Sequence, residues 1–88
     1  MLKIIKPASY SKREQRFFKG RKQLINQYIK TLKLLSLDPM HPALRLHKVK
    51  SKDCYSVSIN MQYRILLTFK YLDNGEILLI DIGDHSIY

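Results

Sequence analysis

The spacing of apolar residues changes once along this chain, and that change orders its elements. Over "KQLINQYIKTLKLL", Leu24, Tyr28, Leu32 and Leu35 recur at three- and four-residue intervals, with Ile25 and Ile29 beside them. That is the period of one helix face. From residue 54 the period is two. "CYSVSI" sets Tyr55, Val57 and Ile59 against Cys54, Ser56 and Ser58. "QYRILLTFKYL" sets Tyr63, Ile65, Leu67 and Phe69 against Arg64, Leu66, Thr68 and Lys70. Both read as strands, one after the other.

The flanking segments complete the order. "MLKIIK" alternates as a short strand closed by Pro7. Ser11 with Glu14 three residues on reads as a capping box that opens a first helix. That helix carries Lys12, Arg13, Arg16 and Lys19, with Phe17 and Phe18 as its apolar content. Gly20 breaks it and Asp38-Pro39 ends the second, which makes a helical hairpin. "DPMHPALRLHKVKSKD" is mostly loop, with a short strand at Leu44–Val49. Asn60-Met61 is a tight turn, and Asp73-Asn74-Gly75 is a hairpin signal because Asn-Gly tolerates positive φ. "EILLIDI" is nearly all apolar, so it belongs inside the sheet with the helices over one face. The expectation is a single α+β domain over residues 1–88, ordered β-α-α-β-β-β. Its twisted, mostly antiparallel sheet carries the helical hairpin on one face.

Charge narrows the function classes. The 88 residues carry a formal net charge of +9, unevenly spread. Residues 1–50 hold thirteen Lys/Arg against two acids, and residues 51–88 hold three against five. An anionic partner, nucleic acid or an acidic protein, fits this polarity; a solvated basic surface is the plain alternative. No apolar run approaches the roughly 18 residues of a membrane span. Lys3, Lys6 and Pro7 interrupt the N-terminal apolar residues, so no signal-peptide core is expected. The one cysteine, Cys54, cannot pair within the chain, which suits a reducing cytoplasm. Three histidines and one cysteine lack zinc spacing, and there is no glycine-rich phosphate loop. Neither a metal nor a cofactor is expected. Cys54 reads as a structural thiol, His41 as a solvated loop residue, and Asp81 and Asp84 as strand-end charges.

The chain closes with "GEILLIDIGDHSIY". Counting antiparallel register from a turn at 74 and 75 puts Arg64 opposite about His85. Arg64 alone reads equally as a snorkelling strand-end arginine or a partner of Asp53 or Asp84, and Tyr88 alone as a fraying end. Together, a guanidinium, an imidazole and a phenol suit cleavage of an RNA phosphodiester by its own 2′-hydroxyl. Histidine takes or gives the proton. Arginine offers a fork of donors to phosphate. Tyrosine stacks on a base or hydrogen-bonds nearby.

"DCYSVSINMQYRILLTF" followed by "ILLIDIGDHSIY" resembles the RelE/ParE toxin superfamily of bacterial toxin–antitoxin systems, nearest its RelE/StbE and YafQ-like branches. The resemblance implies a ribosome-dependent, metal-independent endoribonuclease that cuts messenger RNA in the ribosomal A site, with a cognate antitoxin as partner. It implies catalytic roles for Arg64, His85 and Tyr88. His47, Lys48, Lys50 and Lys52 would lie along RNA, and the helix cations Lys12, Arg13 and Arg16 on the ribosome. Ser56 and Ser58 stand where RelE itself has lysines, so the resemblance leaves a histidine-based version, with His85 as the main proton carrier; His47 sits near where YafQ-like toxins place another active-site histidine. The alternatives are a ParE-like gyrase poison, sharing the fold without the RNA-cutting set, and a basic module that binds RNA without cutting it.

Overall fold

The computed structural model describes residues 1–70 and 75–88. Strand β1 (Lys3–Ile5) leads into helix α1 (Ala8–Phe18), a 3-10 turn at Lys22–Leu24 and helix α2 (Ile25–Leu37). Four strands follow: β2 (His47–Val49), β3 (Cys54–Ser58), β4 (Arg64–Lys70) and β5 (Glu76–Gly83). They form one sheet in the order β1-β5-β4-β3-β2. Only β1 runs parallel to its neighbour among these strands. The α+β architecture expected from the sequence is the one observed, and the apolar last strand lies inside the sheet, between β1 and β4.

Local chemistry sets the boundaries. Gly20 ends the α1 region with φ +81, where a side chain would be strained. Asp38 caps α2 outside the helical region, its amide returning to the Leu34 carbonyl. The strand expected at Leu44–Val49 is shorter and starts later. Pro42–Leu44 form a 3-10 turn, and Arg45 follows in the left-handed region at φ 51, so extended pairing begins at His47. At Asn60 the side chain accepts from the amides of Gln62 and Tyr63, which closes the turn between β3 and β4. Asp73 and Asn74 of the expected hairpin lie outside the described residues.

The capping box does not form. Pro7 occupies the N-cap with no side-chain cap, and α1 begins at Ala8. Ser11 is already inside the helix, its amide bonded to the Pro7 carbonyl at 2.9 Å. Glu14 serves another purpose. Its carboxylate accepts from the Tyr28 hydroxyl and pairs with Lys6 at 2.7 Å. Tyr28 also meets the Tyr10 hydroxyl at 2.8 Å. Two buried phenols need partners, and Glu14 is the acceptor that α1 supplies. The network ties α1 to α2. Leu2 and Ser36 exchange two further bonds, of 2.9 and 2.6 Å, that pin the entry of β1 to α2.

The core is split by the sheet. On the helix side Tyr10, Phe17, Tyr28 and Leu35 pack on Val57, Ile65, Leu67, Ile77, Leu79 and Ile82. On the other side Val49, Cys54 and Leu66 form a smaller cluster, covered by Ile80, Ile87 and Tyr88. Ile65, Leu66 and Leu67 are all fully buried, so β4 is covered on both faces. Cys54 is the structural thiol expected, its pKa raised by burial.

Burial pushes the phenols of Tyr10 and Tyr28 well above their ordinary value of 10.0, with Glu14 adding to the effect. Their stabilising contribution is fully present below that value and is lost as pH rises beyond it, because the unfolded chain ionises first. In an alkaline titration followed by phenolate absorbance, Tyr10 and Tyr28 should ionise only with unfolding. Ionisation of every tyrosine ahead of the loss of far-ultraviolet circular dichroism would contradict this.

Candidate active site

Arg64 opens β4, where it pairs with Ser58 of β3 and Gly83 of β5. Directly paired residues share a face, so Arg64, Ser58, Ser56 and Leu66 all point away from the helices. The expected pairing of Arg64 with about His85 is not observed. The ladder begins with Lys70 opposite Glu76, and its register shifts between Leu66 and Leu67. Gly75 sits beside the ladder, its carbonyl accepting from the Lys3 amide at 3.1 Å, and is not the tip that the count assumed.

His85 reaches this face by another route. After Gly83 the chain enters a 3-10 turn over His85–Ile87. Asp84 caps it, accepting from the Ser86 amide at 2.9 Å. The hydrogen bonds from Ser86, side chain and then backbone, hold the Asp84 carboxyl below the usual range, with smaller help from His85 and Arg21. The turn folds back on the sheet because Gly83 has no side chain. A Cβ there would lie 2.7 Å from Cγ2 of Ile87. Lys52 then donates to the Ile87 carbonyl at 2.5 Å. The closing segment is therefore held by packing, a cap and a lysine, and is not a fraying end.

This placement brings Tyr88 over β3. Its hydroxyl meets Ser56 Oγ at 2.8 Å and His47 Nε2 at 3.4 Å. The Tyr88 ring lies edge-on to two imidazoles, with centroids 6.1 Å from His47 and 5.6 Å from His85. His47 arrives from β2, paired with Ser56. Its Nδ1 stands 3.1 Å from the Arg45 carbonyl. A carbonyl only accepts, so Nδ1 carries the hydrogen and neutral His47 presents a bare Nε2. The left-handed backbone at Arg45 directs that carbonyl.

Arg64 is the anomaly of the face. Its Nε and Nη1 are buried and find no hydrogen-bond partner among the described residues. It pairs with neither Asp53 nor Asp84. Buried guanidinium donors left unpaired cost about 1–3 kcal/mol or more, and a bound anion would relieve that cost.

The other sequence-derived residues fall into separate groups. Lys48 pairs with Tyr55, on the opposite face of the sheet from His47. Lys50 is exposed just beyond β2. Lys52 is engaged by the tail. Lys12, Arg13 and Arg16 line the exposed side of α1. His41 is not merely solvated: its Nδ1 accepts from the Ala43 amide and caps a turn. Sequence reasoning missed Ser56 as the anchor of Tyr88, and Arg21, whose side chain lies over Phe17 and Tyr63. The period-two pattern put Ser56 on the right face, but only coordinates show the phenol above it. Among the described residues, no group of three or more His, Cys, Asp or Glu side chains gathers as a metal site. No helix among them is long and apolar enough to cross a membrane.

No family model matches the sequence, and no curated protein matches it. Solved structures match the fold. The YoeB/ParE toxin from Agrobacterium tumefaciens superposes with a TM-score of 0.76 at 10% identity, over 96% of this chain and 99% of that one. The conserved protein HP0894 from Helicobacter pylori gives 0.73 at 24% identity, over 98% and 97%. The E. coli DinJ-YafQ toxin-antitoxin complex gives 0.71 at 16% identity, over 98% and 94%. At these identities the likeness establishes the fold, and it is the fold that the resemblance to RelE/ParE toxins implied.

The Gly83–Ile87 contact makes a direct prediction. Gly83→Val should lift the closing turn, speeding amide hydrogen exchange at His85–Tyr88 while β4 stays protected. Unchanged exchange over the turn would show that Ile87 does not depend on the glycine.

Proposed function

We propose that this chain is the toxin of a toxin–antitoxin pair and cuts messenger RNA on the ribosome. The observation that carries the reading is the pair of buried Arg64 nitrogens, Nε and Nη1, without partners among the described residues, on the sheet face where Tyr88 gathers His47 and His85. An unsatisfied cation on the same sheet face as two imidazoles is suited to a phosphodiester. Arg64 holds the non-bridging oxygens and stabilises the charge that grows on phosphorus.

In this reading the two histidines carry the proton steps. His47 Nε2 is the unprotonated nitrogen; the 2′-hydroxyl takes the place of the Tyr88 hydroxyl on it and gives up its proton there. The 2′-oxygen bonds to phosphorus, the bond from phosphorus to the 5′-oxygen breaks, and His85 supplies the proton to that oxygen. The products are a 2′,3′-cyclic phosphate and a free 5′-hydroxyl. Tyr88 positions His47 through its hydroxyl until that exchange and offers its ring to a base. In this scheme side chains carry both protons and charge, so the reaction is metal-independent. An open depression of about 550 Å³, lined by Met61, Gln62, Asp84, His85 and Ser86, leaves room for the strand beside His85.

Docking is assigned to the cations away from this face. Lys48, Lys50 and Lys12 meet ribosomal RNA, which makes binding salt-sensitive; Arg13 and Arg16 contact RNA where they gather with Arg21. The site of action is then the cytoplasm. The partner that restrains the chain is an antitoxin with an acidic toxin-binding segment, drawn to the net charge of +9; the DinJ-YafQ complex supports such pairing on this fold.

Induction of the wild type in bacteria, with mapping of messenger 5′ ends, should show in-frame cuts in translated messages. His85→Ala and Arg64→Ala should each lose cleavage by about 10²–10⁴-fold while still sedimenting with ribosomes. Wild-type cleavage by His85→Ala would end this assignment. A DNA-damage response without cuts would select a gyrase poison. Ribosome association with neither cuts nor damage would select an RNA-binding module.

A further inference from the structure

A second cavity, of about 470 Å³, lies between α1 and the end of β5. It is lined by Arg13, Arg16, Phe17, Arg21, Asp81 and Ile82. Three guanidiniums against one carboxylate leave an excess of two positive charges. Two of the cations are already fixed. Arg13 pairs with Asp81 at 3.0 Å. Arg21 donates from Nε to the Tyr63 hydroxyl at 3.3 Å and from Nη1 to the Phe17 carbonyl at 3.0 Å. Its guanidinium also sits 5.0 and 5.4 Å from the ring centroids of Phe17 and Tyr63. The Arg16 side chain has no partner among the described residues.

We propose that this cavity is a preformed phosphate site, seating a backbone phosphate of the bound RNA strand away from the scissile one. The identity of the ligand as RNA rests on the nuclease reading above. The preorganisation does not. Side chains ordered before the ligand arrives lose little freedom on binding. The apolar wall of Phe17 and Ile82 lowers the local dielectric and strengthens each contact. The two non-bridging oxygens of a phosphodiester lie in a tetrahedral arrangement and each accepts from more than one guanidinium N–H, so they can meet donors that converge from different elements, whereas the two oxygens of a carboxylate lie in one plane. One carboxylate, that of Asp81, is already present and satisfies only Arg13. The cavity also adjoins the reacting face. Tyr63, which Arg21 grips, directly precedes Arg64, and the Arg21 charge is felt at Asp84, the cap of the turn that carries His85.

The test titrates the whole protein with hexauridylate, and separately with hexaglutamate, at low and physiological salt. Binding is read from the Nε–Hε resonances of Arg13, Arg16 and Arg21. Hexauridylate should shift them, and Arg16→Gln should weaken its binding by about tenfold, the scale of one charge-assisted hydrogen bond. Asp81→Asn keeps an oxygen for the Ile82 amide that Asp81 now accepts from and removes the competing charge. It should tighten hexauridylate binding, a gain that a purely structural Asp81 cannot produce. Unmoved arginine resonances, no gain in Asp81→Asn, or tighter binding of hexaglutamate would each overturn the proposal. Cleavage separates the two readings. Absent cleavage with these shifts intact removes the nuclease and leaves the phosphate site. Intact cleavage with Arg16→Gln binding unchanged does the reverse.

Discussion

The sheet must be covered on both faces, and the chain has helices for only one. Ile65 and Leu67 face α1 and α2, while Leu66, between them, faces the other way and is equally buried. Leu66, Val49 and Cys54 would meet water if the sheet's second face were open, at about 1.5–3 kcal/mol for each large side chain. Ile87 and Tyr88 provide the cover. That requirement fixes where the chain goes after β5, and Gly83 makes the return possible by leaving room for Ile87. The residues that complete the small core are therefore those that carry the phenol to His47 and bring His85 beside it. Packing and chemistry share the same four-residue segment.

The two faces divide the polar work differently. On the helix side the buried groups are satisfied: Tyr10, Tyr28, Glu14 and Lys6 form a connected network. On the other side Ser56 and Tyr88 satisfy each other, and Arg64 keeps two buried donors without partners. A fold selected for stability alone gains by pairing those donors or replacing the residue. A site that must receive an anion needs them unpaired until the anion arrives. The contrast between a completed network and an incomplete one, within 88 residues, separates what holds the domain together from what it can act with.

Much of this was legible in the residues. The periodicities located α2, β3, β4 and β5, and Gly20 marked the break between helices, because burial on one face imposes its period on the sequence. The apolar run "ILLI" announced an interior strand. Other features depended on contacts between distant residues. Ser11 and Glu14 carry a cap signature, yet Glu14 is taken by Tyr28, fourteen residues later. Arg64 and His85 were expected side by side through register, and the ladder instead sets Arg64 against Gly83. His85 reaches Tyr88 through a fold-back that depends on a missing Cβ. His47 was counted with the RNA-binding residues, its likeness to a second active-site histidine resting on a loose alignment. Its position beside Tyr88 follows from β2 pairing with β3, a strand of three residues too short to announce itself. Arg21 looked like one more cation after a glycine, since nothing local says that Phe17 and Tyr63 converge on it.

One backbone torsion has a reach out of proportion to its size. Arg45 is the one non-glycine residue with positive φ among the described residues, and its carbonyl takes the Nδ1 hydrogen of His47. The imidazole is thereby left a single open nitrogen, on the side of Tyr88. A histidine free to rotate could trade donor for acceptor. Here the main chain has chosen in advance: Nδ1 is the donor and Nε2 the acceptor, a polarity written in the peptide unit at Arg45 and not in the imidazole itself.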